Sequence, residues 1–397
     1  MVKFNEKYET IKDISSADIK GKKILMRADY NVPISDGEIK DDRKIVSSVE
    51  TIKEILTKKP ARLIITSHLG RPEGVTPTLS LKPVAERLSK LIKVPVILIT
   101  LEDIEKNPKN YKHGIYMLEN IRFYPEEEKN DPEFAKRLAA LGQIYVGDAF
   151  GTMHREHAST YGAAHLLPSY IGLLVKKEIT HLNLTKAKHP FVVVIGGAKV
   201  STKLSVIKSL AESADKIIIG SGMALTVYSA EGFFVGSSFV EVSALSKAKK
   251  IFDMENVVFP IDFKVSLNND DSKVITENRK VSEIKKGEIG GDIGDESLKL
   301  FEKYLKKAKT IFWNGPLGIY EVDKFAVGTN NLAQYISDLK AEKIIGGGDI
   351  AAAIDKIGIS NKFDFISTGG GASLELLSKG KLPALEAILR SQKKFKI

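Results

Sequence analysis

The feature that most constrains this chain is an alternation. Short apolar runs of strand length are followed repeatedly by segments whose apolar residues recur at helical spacing. In the first half, residues 23–27 are built on Ile24-Leu25-Met26, and a helix is predicted over 44–58, where Ile45, Val49, Ile52 and Leu56 share a face. Strands predicted at 63–66, 94–100, 115–118 and 144–146 alternate with a helix at 81–92, which tolerates Pro83 in its first turn. Another helix follows the cap-and-proline pair Asp131-Pro132, with Phe134, Leu138 and Leu141 on its buried face. The second half repeats the scheme, with strands at 191–195, 216–219, 257–259, 310–313, 344–345 and 363–366 and helices at 204–211, 298–307 and 332–339. Strands alternating with helices predict the α/β class, as doubly wound parallel sheets. A length of 397 residues suits two such Rossmann-like domains. Residues 168–188 read as a long helix and then a linker, a hinge helix between the domains. Residues 268–294, polar and glycine-containing, read as a loop or edge hairpin.

Composition removes several classes. There is no cysteine, which excludes disulfides, thiolate zinc sites and cysteine nucleophiles. No apolar run is long enough to span a membrane, and the first residues carry no apolar leader core. A cytoplasmic protein with no membrane partner is the expectation. The net charge of +10 suits nucleic acid or anionic metabolites. The lysines are scattered, with no zinc-finger spacing and no aromatic-basic repeat, so nucleic acid is not the expected partner.

Open parallel sheets bind ligands beyond the carboxyl ends of their strands, and the two halves carry different residues there. In the first half these ends are charged and polar: Arg27-Ala28-Asp29-Tyr30-Asn31, Ser67-His68-Leu69-Gly70-Arg71, Glu119-Asn120-Ile121-Arg122, and Gly147-Asp148 with His154-Arg155 beyond. His68, Arg71, Arg122 and Arg155 could converge on one anion, since arginine offers a planar fork matched to phosphate or carboxylate. Asp29 and Asn31 could hold hydroxyls. In the second half the ends carry glycine: Gly196-Gly197-Ala198-Lys199, Gly220-Ser221-Gly222, Asn314-Gly315-Pro316, Gly346-Gly347-Gly348-Asp349 and Ser367-Thr368-Gly369-Gly370-Gly371. Several such turns on one sheet suit a nucleotide, and the last, opening a helix, suits a phosphate. Neither Walker A spacing nor a strand-linked G-x-G-x-x-G is present, against a P-loop NTPase or an ordinary dinucleotide dehydrogenase. Lys199 and Lys203, four apart, would share a helix face and suit a polyphosphate. Asp349 suits magnesium, or else an N-cap of the helix after it.

These motifs, in order and along nearly the whole chain, resemble those of the phosphoglycerate kinase family. The resemblance implies reversible phosphoryl transfer from 1,3-bisphosphoglycerate to MgADP, giving 3-phosphoglycerate and ATP in glycolysis and gluconeogenesis, by hinge closure of two substrate-binding domains. It implies a phosphoglycerate-binding domain at 1–170 that also takes the C-terminal tail, about 382–397. An interdomain helix and linker would occupy 171–188 and a nucleotide-binding domain 189–381. The acid would be held by Asp29, Asn31, His68, Arg71, Arg122 and Arg155. Lys203 would contact the nucleotide phosphates, Glu321 the ribose, and Gly220 and Gly222 the adenine. Pro316, Gly347, Gly348 and Ile350 would complete that site, and Asp349 would bind Mg2+ carried by ADP or ATP. Lys199, with Gly369, Gly370 and Gly371, would stabilise the migrating group. A monomer is expected.

The chain also departs from the family pattern. The family's catalytic arginine, just before an isoleucine at the start of the first helix, falls at Lys44, with Arg43 one residue earlier. Arg43 takes the role, as catalytic and substrate-binding residue, if the turn at 34–37 absorbs a one-residue shift; otherwise Lys44 acts as a point charge. Arg43 is the expectation. Ile350 replaces a common threonine, Ser221 a glycine and Asp295 a proline, each placing nucleotide affinity or selectivity in question.

Overall fold

A computed structural model describes residues 4–397; Met1–Lys3, part of the stretch read above for a leader core, lie outside the described residues. The chain forms two compact units. One comprises Asn5–Leu182 with Lys381–Ile397; the other is Asn183–Gly380 with Phe4.

In the first unit, strands β1 (Lys23–Ala28), β4 (Arg62–Thr66), β5 (Val96–Ile99), β6 (Gly114–Leu118), β7 (Ile144–Asp148) and β8 (Ser169–Ile171) form one sheet in the order β5-β6-β4-β1-β7-β8. Every pairing in it is parallel. The short strands β2 (Ile34–Ser35) and β3 (Glu38–Ile39) make a separate hairpin. Helices α1 (Arg43–Thr57), α2 (Lys82–Ile92), α3 (Leu101–Lys106), α4 (Pro132–Ala139), α5 (Ala163–Leu166) and α6 (Leu173–His181) complete the alternation. The central strands are apolar on both faces because helices cover both. One core brings Ile24, Met26, Leu63 and Ile65 against Ile45, Ile52, Val84 and Leu88. Asp131 caps α4 by accepting from Phe134 N, with Pro132 in the first turn. The C-terminal helix Pro383–Phe395 belongs to this unit, where Gln392 Nε2 donates to Lys12 O (2.9 Å) and Ser169 O (3.0 Å).

The helix expected within 168–188 is shorter than expected, running over Leu173–His181 as α6. Residues 169–171 instead extend the sheet by pairing with Tyr145–Gly147. Gly172, in extended geometry, then separates β8 from α6, and a 3-10 turn at Leu184–Lys186 follows. Asp148, at the end of β7, accepts from Val175 N, and Thr51 accepts from Leu173 N, so the head of α6 is held by side chains at two places.

In the second unit the main sheet contains β9 (Phe191–Ile195), β10 (Lys216–Ile219), β11 (Val257–Val258), β15 (Thr310–Asn314), β16 (Glu342–Ile345) and β17 (Phe365–Ile366). Their order is β11-β10-β9-β15-β16-β17, all parallel. The chain winds one way from β9 and the other way from β15, so the switch point lies between these two strands. Helices α7 (Val200–Ala211), α8 (Ser221–Ala230), α9 (Leu245–Phe252), α10 (Asp295–Leu305), α11 (Val327–Ser337), α12 (Gly348–Lys356) and α13 (Gly371–Lys379) accompany the sheet. Val192, Val194, Ile311 and Trp313 form its core with Phe301, Leu332 and Ile354.

The region 268–294 contributes more than a loop. Strands β13 (Glu277–Lys280) and β14 (Ile289–Ile293) flank β12 (Asp262–Ser266) in an antiparallel three-stranded sheet. Strand β13 has no apolar residue. It is held by its ladder to β12 and by polar side chains, with Asn278 donating to Asp295 at 2.7 Å and Arg279 paired to Glu277.

Candidate active site in two half-sites

The first half-site gathers at the carboxyl ends of β1, β4 and β6. Asp29, just beyond β1, is buried and accepts from Lys44 Nζ at 2.9 Å. Burial pushes its carboxyl up, but Lys44, His68 and Arg27 outweigh burial and hold it at about 2. Arg27 is 1% exposed. Its Nε donates to Ser159 Oγ (2.8 Å), and its Nη2 lies 3.2 Å from His68 Nδ1. Arginine only donates, so Nδ1 of His68 accepts and the ring proton sits on Nε2. Burial, with Arg27, Arg122 and Lys44, keeps His68 well below the usual imidazole range against the opposing pull of Asp29. It is neutral at pH 7.

Arg122 is held from several sides. Its Nη1 donates to Gly70 O (2.6 Å), and its Nε pairs with Glu128 (2.9 Å). Asn120, fully buried, donates to Leu69 O (2.7 Å) and Leu79 O (2.9 Å) while accepting from Arg122 N (3.1 Å). Asn31 Oδ1 accepts from Gly70 N at 2.9 Å. Asn31, His68, Gly70 and Arg122 are therefore brought to one place. Arg155 is half-buried, with Nε donating to His154 Nε2 at 3.2 Å. Arg71 is exposed and pairs with no acidic side chain among the described residues. The field here is strongly positive. Burial and the charges of Arg27, Arg122, Arg155 and His154 push His157 down to about 4.

The expected role of Arg43 meets a different geometry. Arg43 opens α1 and its guanidinium is taken by Asp41, with Nε at 3.0 and 2.9 Å from the two carboxylate oxygens. The β2–β3 turn supplies no slack. Asp36 and Gly37 both adopt positive φ in a two-residue hairpin, and Ile34 and Ser35 pair in register with Ile39 and Glu38. Lys44, one residue on, is the cation that reaches Asp29.

The second half-site is a cleft of about 580 Å³ at the switch point. Its walls include Gly197, Ala198, Gly222, Leu225, Phe239, Pro316, Glu321 and Asp349. Gly196 is required for packing: a Cβ there would sit 1.9 Å from Pro316 O in the turn after β15. Gly220 is likewise tight against Gly196 and Leu317, so part of the glycine signal serves backbone approach between turns. Gly348 faces open space. Gly370, also open, is the N-cap of α13 with φ +49, a conformation that favours glycine.

Lys203 points to Asn314, whose Nδ2 in turn donates to Gly346 O. Burial lowers the Lys203 ammonium to about 8, opposed by Asp349. Lys199 caps α7 and is exposed. Asp349 lies in the first turn of α12, exposed at the cleft. Gly347 caps that helix, so Asp349 is not its N-cap. At α13, Ser367 Oγ accepts from Gly369 N (3.0 Å) and lies 2.8 Å from Ser373 Oγ, fixing the turn before Gly370 and Gly371.

The three departures acquire local reasons. Ile350 is fully buried in the core, so its side chain does not face the cleft. Ser221 lines the cleft, but its hydroxyl is donated to Leu317 O at 2.7 Å. Asp295 pairs with Lys264 (2.7 Å) and Asn278, joining α10 to the antiparallel sheet. Residues not chosen from the sequence but central here are Arg27, Asn120, His157 and Asn314. All except His157 stand in quoted strand-end motifs, and their burial is what marks them.

A family model described as phosphoglycerate kinase matches residues 11–381. A phosphoglycerate kinase of Dictyoglomus turgidum is 45% identical over 392 residues, covering 96% of this chain and 98% of its own. The cytosolic phosphoglycerate kinase 3 of Arabidopsis thaliana is also 45% identical, covering 94% and 97%. The solved phosphoglycerate kinase of Coxiella burnetii superposes with a TM-score of 0.84 at 33% identity, covering 96% of this chain and 99% of that one. With matches that run nearly end to end in both sequence and fold, the chain belongs to the phosphoglycerate kinase family.

Proposed function

We infer that this chain is an enzyme that moves a phosphoryl group reversibly between MgATP and the carboxylate of 3-phosphoglycerate. The observation that carries this reading is the division of labour between the units. One has a cation-dominated cluster at its strand ends, and the other has a glycine-walled cleft at its switch point.

In the ATP-consuming direction, a carboxylate oxygen attacks the γ-phosphorus, the bond to the β–γ bridging oxygen breaks, and ADP leaves. A carboxylate needs no general base, which suits a half-site of arginines, lysine and a neutral histidine. Arg122, Arg155 and Arg71 hold the phosphate end of the acid, with His68 Nε2–H as a neutral donor. Asp29 and Asn31 take its hydroxyl. Lys44 rather than Arg43 faces its carboxyl end, with Asp29 holding the ammonium in place. In the other unit, Lys203 and Asn314 meet the nucleotide phosphates, Glu321 the ribose, and Gly222 and Pro316 border the base. Lys199 and the N-terminus of α13 at Gly370-Gly371 stabilise charge on the group in transfer.

The donor set fits a magnesium ion that arrives with the nucleotide. Asp349 offers one exposed carboxylate beside Lys203, and the remaining ligands would be phosphate oxygens and water. Bound so, the ion would screen negative charge between the phosphates. Transfer requires both ligands together and water excluded, so we place a hinge where the chain passes between units, at 182–183 and 380–381. We read the protein as a cytoplasmic monomer acting on small molecules. Among the described residues no helix is long and apolar enough to cross a membrane.

A coupled assay with purified protein, 3-phosphoglycerate and MgATP tests the reading. Turnover well above an enzyme-free control is expected. A folded protein that phosphorylates a different acid, or none, would defeat it.

A further inference from the structure

A second cavity, of about 460 Å³, lies in the first unit at the amino ends of the strands, the edge opposite the half-site. Lys23 and Arg62, the first residues of β1 and β4, both line it. A five-residue strand separates this edge from the half-site, a span of roughly 16 Å. The turn at 108–111 and the end of α4 close its sides.

Its chemistry is one-sided. Five lining side chains are cationic, and Glu105 is the one acid among them. That acid is already engaged, since Arg137 pairs with it through Nε and Nη2, both at 2.8 Å. Lys23, Lys109 and Lys112 are exposed and pair with no carboxylate among the described residues. Arg62 is the unusual member. It is 5% exposed, its Nη1 and Nη2 donate to Tyr111 O (2.8 Å) and Leu141 O (2.7 Å), and it meets no carboxylate among the described residues. Its Nε is buried with no hydrogen-bond partner among the described residues. A buried guanidinium without a counter-charge is costly, and an unsatisfied buried donor adds to that cost. An anion in the cavity would supply the missing counter-charge. Three lysines around an arginine match a multiply charged phosphate, which lysine binds as a point charge, and the volume suits a small organic or inorganic phosphate.

We propose that this cavity, walled by Lys23, Arg62, Lys109 and Lys112, is a second anion site that takes a small phosphate compound, separate from both substrate half-sites. Arg62 ties the 108–111 turn, through Tyr111 O, to the segment after α4, through Leu141 O, so occupancy should tighten that turn. The ligand's source can be free inorganic phosphate compounds or a phosphorylated metabolite; the charge pattern is shared by both.

The test uses the full chain with both half-sites saturated by 3-phosphoglycerate and MgADP. Inorganic pyrophosphate is titrated by calorimetry, and glycerol 2-phosphate in a parallel arm reports on organic phosphates. One further site is expected, weakening as salt rises. The K109A/K112A double variant should weaken it at least tenfold while kcat and both substrate KM values stay within twofold. Arg62→Lys, which keeps the charge but loses both carbonyl clamps and Nε, should weaken binding as well. Amide exchange in residues 108–112 should slow when pyrophosphate is bound. No heat beyond the saturated half-sites, or binding unchanged in K109A/K112A, overturns the proposal. The turnover of the unmodified enzyme is a separate readout, so this failure is distinguishable from failure of the kinase reading.

Discussion

Replacing Lys44 by methionine separates the two candidates for the family's arginine role. Asp29 is held at about 2 against an ordinary 3.8, roughly 2 units, or about 2.5 kcal/mol net after its cations have offset burial. Lys44 leads those cations, but its side chain is 31% exposed and water screens part of the interaction. Arg27 and the ordered surroundings of Asp29 remain in the variant. Lys44→Met should therefore lose about 1–2 kcal/mol of unfolding free energy at pH 7. The sign follows from the depressed carboxyl. The stabilisation is complete above the unfolded value near 3.8 and disappears as pH falls through about 2, so the gap between wild type and variant should close over that window. Catalytically, a charge-assisted bond to the substrate carboxyl is worth about 1.5–3 kcal/mol. The variant's kcat/KM for 3-phosphoglycerate should fall roughly 10- to 150-fold. Arg43→Met removes a partly exposed pair with Asp41 and should change stability by less than about 1 kcal/mol and kcat/KM by less than about threefold. Urea unfolding between pH 2 and pH 7 and steady-state kinetics on both variants measure all of this. A large activity loss in Arg43→Met with Lys44→Met near wild type would refute the assignment.

Burial holds the Lys203 ammonium at about 8, so nucleotide affinity should fall as pH rises through 8; Lys203→Arg should move that limb upward, and an unshifted pH profile would contradict it. Asp295→Pro restores the common family residue at the first position of α10, where proline is tolerated. Together with Ser221→Gly it should leave the nucleotide KM within about twofold, since the Ser221 hydroxyl is spent on Leu317 O and Asp295 is engaged by Lys264. Gly370→Ala forces a Cβ onto a backbone with φ +49 and should cost about 1–2 kcal/mol of local stability with a larger fall in kcat than in substrate affinity; equal KM and kcat effects would argue for simple unfolding of the turn.

The fold was legible where periodicity was clean. The helix starting at Arg43 and the run Phe191–Ile195 are examples, because one side of each helix and both sides of each inner strand are buried. Helix α8 left no such signal: Met223, Ala224, Leu225 and Val227 are all buried, so it is apolar on every side and has no stripe. Strand β13 failed in the opposite way, with Glu277, Asn278, Arg279 and Lys280 offering no apolar face. At the site, residue type and strand-end position pointed to Asp29, His68 and Arg122, and helical spacing from Lys199 pointed to Lys203. They could not separate Arg43 from Lys44, because that choice depends on the register of the β2–β3 hairpin, a pairing between backbones. Nor could they show that Gly196 answers to Pro316 across the sheet while Gly348 faces open space. That difference lies in tertiary contact.

The account rests most heavily on charge stabilisation of the group in flight, by an exposed lysine at the head of α7 and by the glycine turn that opens α13. Lys199→Ala tests it directly. In the coupled assay, kcat should fall by at least about a hundredfold, as removal of a donor acting on the transition state does, with the KM values for 3-phosphoglycerate and MgATP within about threefold of wild type. A KM for MgATP that rises by that factor while kcat is unchanged would contradict it, reducing Lys199 to a ground-state ligand of the nucleotide.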